Sequence, residues 1–342
     1  MAPVRSRPTT HLHRLLLVIA PLVVLALAAS STAAAAAVAW RAQHSGTGRS
    51  LAGTSFADRS HGFAVGDAGT ILATRNGGAS WRRQASGTRR ALNAVSTVGA
   101  LHAWAVGRGV IVATRNGGAS WVVQDSAPGA DLMGVAFADH LHGWAVGGAG
   151  TARHGWADGG GATILGTTDG GATWTREYGQ ASGELYAVAA TDDRHAWAVG
   201  FDPANGGVGT ILATSDGGTT WMPQHSAIGF PLYGVSFSDR LDGWVVGLDG
   251  EILATSDAGA HWAQQETAIA DPLYGVSFRD RSHGVAVGAN DAVAGVVLRT
   301  SDGGTTWTWQ DSGHKGDLDG VSFVGARRAW AVGPRGAILA AR

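Results

Sequence analysis

Four aspartates recur in one setting. Asp169, Asp216, Asp257 and Asp302 each sit in a Thr-x-Asp-Gly-Gly-x-x-Trp turn, with Ala258 replacing the first Gly of the third copy. Asn76 and Asn116 hold the same place in two more copies, and the turns end on Trp81, Trp121, Trp174, Trp221, Trp262 and Trp307. Carboxylates at fixed spacing could serve as general acids, bases or calcium ligands. Asn at two of six positions argues against both roles. What Asp and Asn share is a side-chain oxygen that accepts hydrogen bonds from nearby backbone N–H groups. The Gly pair tolerates positive φ, and the Trp can cover the hairpin with a large apolar face. The motif therefore reads as a structural turn.

Other chemistry-bearing residues follow the same rule of repetition. A sialidase-like site would need an arginine cluster, a nucleophilic Tyr and supporting acids. Tyr186, Tyr233 and Tyr274 each stand just after a Leu that opens a repeat, which reads as packing; only Tyr178 is off this pattern. His61, His102, His142, His195 and His283 each lie two residues before an aromatic or Val in the next strand, which reads as a turn preference. Metal ligands must converge on one point, and one position copied around a ring does not. No phosphate-binding loop, nucleophile elbow or cofactor motif is present, so no metal, cofactor or catalytic residue is expected. A glycoside hydrolase is the open alternative, since it needs only two carboxylates about 5–10 Å apart.

The elements that carry these residues are repeats. Units open at Leu51, Leu92, Leu132, Leu185, Leu232, Leu273 and Leu318, with spacings of 41, 40, 53, 47, 41 and 45 residues. Each opens on an alternating apolar run, as in Leu232 to Phe237. An aromatic-Ala-Val-Gly stretch, a third apolar run, the turn and a Trp-x-x-Gln segment follow. Four short strands per unit of this length predict propeller blades. The last unit stops after its third strand, at Ile338 to Arg342, while Trp40-Arg41-Ala42-Gln43 carries the missing fourth-strand signature. The fold expected is therefore all-β: a seven-bladed β-propeller of four-stranded antiparallel blades, its last blade closed by the N-terminal strand. Closure also removes exposed strand edges.

Composition agrees. Gly numbers 53 and Trp 14, charged residues are only 15%, and Cys is absent, so no disulfide can contribute. Residues 1–14 carry Arg5, Arg7 and Arg14; an apolar run from Leu15 to Ala29 and the small-x-small Ala37-Val38-Ala39 follow. This predicts a signal peptide over residues 1–39, or an uncleaved anchor, and a secreted or extracytoplasmic propeller over 40–342. Without residues 1–39 the chain has 22 basic and 26 acidic residues, a net charge of −4. That balance gives no footprint for nucleic acid. Membrane contact is expected only through an uncleaved N-terminal segment.

The repeated turn resembles the Asp-box of BNR-repeat propellers. The Gly-Trp-Ala-Val-Gly element at Gly143 to Gly147 most resembles the photosystem II stability/assembly factor-like family, over residues 40–342. The resemblance implies a seven-bladed propeller. It also implies a non-enzymatic binding or assembly role, since photosynthetic members hold assembly intermediates on the lumenal side of the thylakoid membrane. Similar bacterial proteins occur in cells without photosynthesis, and sialidases, sortilin-type receptors and xyloglucan-cleaving enzymes share the box. It therefore implies architecture rather than activity.

Unit length varies mainly between the second and third strands, at Gly148 to Ala162, Phe201 to Gly209 and Ala289 to Gly295. In a meander these loops share a face with the connections between blades, opposite the boxes. Insertions on one face point to binding there. Arg153, His154, Trp156 and Asp158 in the longest loop, with Arg108, Asp249 and Arg335 in the matching short loops, are the candidate ligand-binding residues. The expected partner is a protein or an extracellular polymer.

Overall fold

The computed structural model describes residues 39–124, 130–148, 161–180, 182–203, 208–225, 229–290, 294–325 and 327–341. They form seven antiparallel sheets of four strands. The first blade runs Leu51–Phe56, Gly62–Gly66, Thr70–Thr74 and Arg82–Gln84, and five more repeat that order. The seventh takes Gly320–Val324, Arg328–Gly333 and Ala337–Ala341 from the C-terminus and Trp40–Ala42 from the N-terminus. Trp40 pairs with Ala341, Arg41 with Ala340 and Ala42 with Leu339. The Gln43 amide extends the ladder to the Ile338 carbonyl at 2.8 Å. The ring is thus a propeller of seven blades closed by the N-terminal strand.

Strand character follows position within the blade. The second strand is buried along its length, as in Gly62–Gly66 and Gly143–Gly147, because both faces of the sheet pack on neighbouring blades. Its composition is accordingly a continuous apolar run. The fourth strand is the outer edge, and Arg82, Arg83, Val122, Val123 and Met222 are exposed there.

Two aromatic devices hold neighbouring blades together. The second-strand Trp stacks on a Phe that ends the first strand of the next blade. Trp104–Phe137, Trp197–Phe237, Trp244–Phe278 and Trp330–Phe56 have near-parallel rings with centroids 3.5–3.6 Å apart. These indole N–H groups donate to turn carbonyls of that next blade, Gly170, Ala258, Gly303 and Gly77, at 2.9–3.2 Å. Each stack buries large apolar area and adds about 0.5–1.5 kcal/mol of ring–ring attraction. At the seam between blades six and seven Val285 replaces the indole. There Arg279 and Arg299 hold their guanidinium carbons 5.5 and 5.2 Å from the Phe323 ring, in cation–π range.

The second device uses the Trp-x-x-Gln segment. The amide oxygen of Gln224 accepts the indole N–H of Trp262 in the next blade at 3.2 Å. Gln310 does the same for Trp40, and Gln43 for Trp81, both at 3.0 Å. The closing strand therefore carries one half of the lock on each of its sides.

Candidate binding face at the axial mouth

The first strand of a blade lies nearest the axis, and one irregularity decides what it shows there. Register slips after the opening Leu in six blades, between Leu51 and Gly53, Leu92 and Ala94, Leu132 and Gly134, Leu185 and Ala187, Leu232 and Gly234, and Leu273 and Gly275. Two residues then oppose one on the partner strand, which is a β-bulge, and bulges re-aim side chains. The extra residue is the one after the Leu. Ala52, Asn93, Met133, Tyr186, Tyr233 and Tyr274, with Asp319 from blade seven, line one cavity of about 80 Å³. Small residues follow the bulge because the inner strands crowd. A Cβ on Gly134 would stand 2.9 Å from Ala187 Cα, and one on Gly53 would stand 2.9 Å from the Asn93 carbonyl oxygen.

The tyrosines are therefore not buried packing, as their strand position suggested, but three consecutive staves of the axial wall. Their rings are 5.5 Å apart between Tyr186 and Tyr233, and 5.7 Å between Tyr233 and Tyr274. Carboxylates surround them. Burial, with Asp249 nearby, pushes the Tyr233 hydroxyl up. Burial, with Asp317, Tyr233 and Asp319, pushes Tyr274 up to about 12. Tyr186 is raised further by burial and by Glu184, to which it hydrogen-bonds. All three are neutral phenols at ordinary pH. Glu184 is itself buried, and desolvation with the charge of Asp131 raises its carboxyl against the hydrogen bond from Tyr186. Asn93 donates to Asp131 at 3.2 Å and to the Leu132 carbonyl at 2.9 Å.

Arg108, Asp249 and Arg335 stand on exposed short hairpins between second and third strands. Asp249 and Arg335 have φ of 56° and 57°, and Gly109 supplies the left-handed residue in Arg108's hairpin at 59°. These hairpins share a face with the connections between blades: Gly109 N–H donates to the Ala130 carbonyl, and the hairpin residue Gly295 donates to that of His314. Arg108 pairs with Asp131 at 3.5 Å and Asp249 acts on Tyr233, so both connect to the axial group. Arg335 instead stands near His314, where burial and the arginine lower the imidazole and Asp317 opposes them. Arg153, His154, Trp156 and Asp158 lie outside the described residues.

The Thr-x-Asp/Asn turns occupy the opposite face, where Gly77 N–H donates to Ser60 in the turn between first and second strands at 2.9 Å. Their chemistry is internal. Asp302 Oδ1 accepts the Thr306 N–H at 2.9 Å and Oδ2 accepts its hydroxyl at 2.6 Å. The Thr300 hydroxyl donates to Asp302 at 2.8 Å and accepts the Gly304 N–H at 2.9 Å. Asp169, Asp216 and Asp257 repeat this, and Asn76 and Asn116 use the same Oδ1 contact, to Ser80 and Ser120. The closing Trp residues meet the inter-blade Phe edge-on, as in Trp81–Phe56 and Trp174–Phe137, while Trp121 meets Phe63. Trp221 and Trp262 donate to Glu177 and Gln224, and Trp307 meets Phe278 edge-on. Asp58, Asp139, Asp192 and Asp280 each cap a turn by accepting the amide and ring Nδ1 of His61, His142, His195 and His283. Among the described residues no group of three or more His, Cys, Asp or Glu could hold a metal, and no helix is long and apolar enough to cross a membrane.

Known proteins share this architecture. Residues 32–131 match the family model of the photosynthesis system II assembly factor YCF48. YCF48 from Cyanidioschyzon merolae superposes with a TM-score of 0.68 at 20% identity, over 89% of this chain and 99% of that one. YCF48 bound to D1 peptide gives 0.66 at 20% identity, over 88% and 96%. The GH74 xyloglucanase from Xanthomonas campestris gives 0.64 at 13% identity, covering 88% of this chain but 53% of that one. At these identities the structural likeness is one of fold. Among curated proteins no sequence matches. The chain is thus a seven-bladed β-propeller whose residues 32–131 are similar to the photosystem II assembly factor family.

Proposed function

We propose that the chain is an exported, non-enzymatic scaffold that binds a protein partner on the face formed by the second-to-third-strand hairpins and the axial mouth. The observation that carries this reading is the axial group. Three tyrosines, an asparagine and Asp319 line one cavity, with Glu184, Asp249 and Asp317 near the tyrosines, whereas the acids of the opposite face are spent on their own turns. Tyrosines give amphipathic contact area at low entropic cost. The solved YCF48 with a D1 peptide supports a polypeptide partner for a propeller of this kind. Export rests on the N-terminal arginines and apolar run alone.

The test is partner recovery from the native cells with three forms of the protein. The unchanged chain and one altered on the turn face, Asp302→Asn, should recover the same partner. A form altered on the loop face, Asp249→Lys with Arg108→Glu, should lose it. Equal recovery by all three overturns the assignment.

One observation favours a second reading, a glycoside hydrolase on the same face. Glu184, with its carboxyl raised by burial, lies close enough to Asp131 to feel its charge, and two carboxyls whose environments differ are the arrangement such enzymes need. Release of reducing sugar from a polysaccharide, abolished by Glu184→Gln, would establish it in place of the scaffold.

A further inference from the structure

The net charge of −4 conceals a division around the ring. Residues 40–124, which supply the closing strand and blades one and two, hold ten arginines and only two acids, Asp58 and Asp67. Residues 125–342 hold 12 basic and 24 acidic residues. The two sectors thus carry +8 and −12. All ten arginines of the first sector are exposed. Among the described residues only one of them, Arg108, forms an ion pair, to Asp131. In the second sector Arg240, Arg279 and Arg281 each reach an aspartate. Cations left unpaired side by side repel one another and draw in an anionic partner.

The arginines gather on the outer rim. Arg82 and Arg83 lie on the outer strand of blade one, and Arg83 lines a groove of about 460 Å³ with Arg49, Arg89, Ser86 and Thr88. A guanidinium offers paired N–H donors that match the oxygens of a phosphate. Apolar surface adjoins them. Val122 and Val123, on the outer strand of blade two, are 64% and 51% exposed. A Cβ on Gly87, two residues before Arg89, would stand 3.5 Å from the Val123 side chain. Arginines beside exposed aliphatic side chains suit the boundary between lipid headgroups and acyl chains.

The chain also enters the ring in this sector. The closing strand carries exposed Arg41, and Gln43 accepts the indole N–H of Trp81, the residue before Arg82, at 3.0 Å. The apolar run from Leu15 to Ala29 precedes Trp40 by only a short stretch of chain. Inserted in a bilayer, that run would tether the basic sector, rather than the acidic one, near the lipid.

We infer that the outer rim of blades one and two is a docking surface for anionic phospholipid headgroups, separate from the polypeptide site at the axial mouth. Arg49, Arg83 and Arg89 receive headgroup phosphate in their groove, and Val122 and Val123 rest at the acyl boundary.

The chain has no Cys, so one introduced thiol carries a unique label. Val122 and Met222 hold the same place in the outer strands of blades two and four, each 64% exposed. Full-length Val122→Cys and Met222→Cys, each bearing an environment-sensitive fluorophore, are mixed with vesicles of phosphatidylcholine containing increasing proportions of phosphatidylglycerol. The label of Val122→Cys should shift to the blue as phosphatidylglycerol rises, and that of Met222→Cys should not. High salt should reverse the shift. In the Val122→Cys background, Arg82→Gln, Arg83→Gln and Arg89→Gln together should lose the shift at the lipid composition where the parent shows half of it. Arg194→Gln, Arg240→Gln and Arg281→Gln together remove the same charge from the acidic sector and should keep it. No shift at Val122→Cys, the same shift on phosphatidylcholine alone, equal shifts at the two labels, or equal loss in both triple variants overturns the inference. Full displacement from the vesicles by polyglutamate at matched charge also overturns it, and assigns the rim to an acidic polypeptide instead.

Discussion

Replacing Trp40 by Ala should destabilise the protein as much as removing a core tryptophan, although Trp40 lies in the first described strand. The indole is 8% exposed and packs with Val285, Val297, Leu318, Phe323, Ala329 and Leu339. Its N–H reaches Gln310 across the seam at 3.0 Å. Truncating a buried Trp costs about 3–5 kcal/mol. At a urea slope of about 3 kcal/mol per molar, the unfolding midpoint falls by roughly 1–1.7 M. Trp309 is the internal control. It stands on the outer strand of blade six, 55% exposed, and its loss should cost within about 0.5 kcal/mol. Combining Trp40→Ala with Gln310→Ala should cost less than the sum of the two, because the shared bond is lost only once. Urea unfolding followed by far-ultraviolet circular dichroism reads all four proteins. If Trp40→Ala unfolds with Trp309→Ala, or the double variant is strictly additive, the closing strand does not lock the ring and the reasoning fails.

Two further outcomes concern titration. Asp302 is held at about 2, first by the Thr306 hydroxyl and amide, so its contribution is present above the ordinary value of 3.8 and is lost as pH falls from there towards 2. Asp302→Asn, the residue at Asn76, should therefore flatten the acid-side loss of stability; an unchanged acid limb in melting temperature against pH would contradict this. Glu177 stands where other blades have Gln, and it accepts indole N–H groups from Trp221 and Trp144 at 3.2 and 3.1 Å. Burial raises its carboxyl, so the folded state holds its proton longer and stability declines as pH rises from the ordinary glutamate range through the folded value. Glu177→Gln should raise the melting temperature more at pH 8 than at pH 4, and a larger gain at pH 4 would refute it.

Much of the ring was legible in the chain. Trp40-Arg41-Ala42-Gln43 stands out of order as a fourth-strand signature, and only seven units with a shared last blade accommodate it. The Asp/Asn alternation in the turns showed that their chemistry is hydrogen bonding, because both residues offer the same Oδ1. The axial site was not legible in the same way. Leu232-Tyr233-Gly234-Val235 reads as continuous alternation, which places Tyr233 among packed side chains. The bulge inserts one residue and turns it to the axis. The available signal was the small residue after it, Gly53, Gly134, Gly234 and Gly275 among others, since glycine inside a strand marks bulges and close backbone approach. Glu184 also escaped notice, because a lone acid before the opening Leu becomes distinctive only when Tyr186 and Asp131 are brought beside it. Nor does spacing show that the Gln of one blade serves the Trp of the next; that pairing exists only once the blades are side by side.

The central claim is that binding belongs to the hairpin face and its axial mouth. Hydrogen exchange of the isolated protein and of its complex with the recovered partner tests it most directly. The account predicts slower exchange at the amides of Asn93, Met133, Tyr186, Tyr233 and Tyr274 and in the hairpins of Arg108 and Asp249, with the turns at Asn76, Asp169 and Asp302 unchanged. Protection of those turns, with the axial strands unaffected, would contradict it.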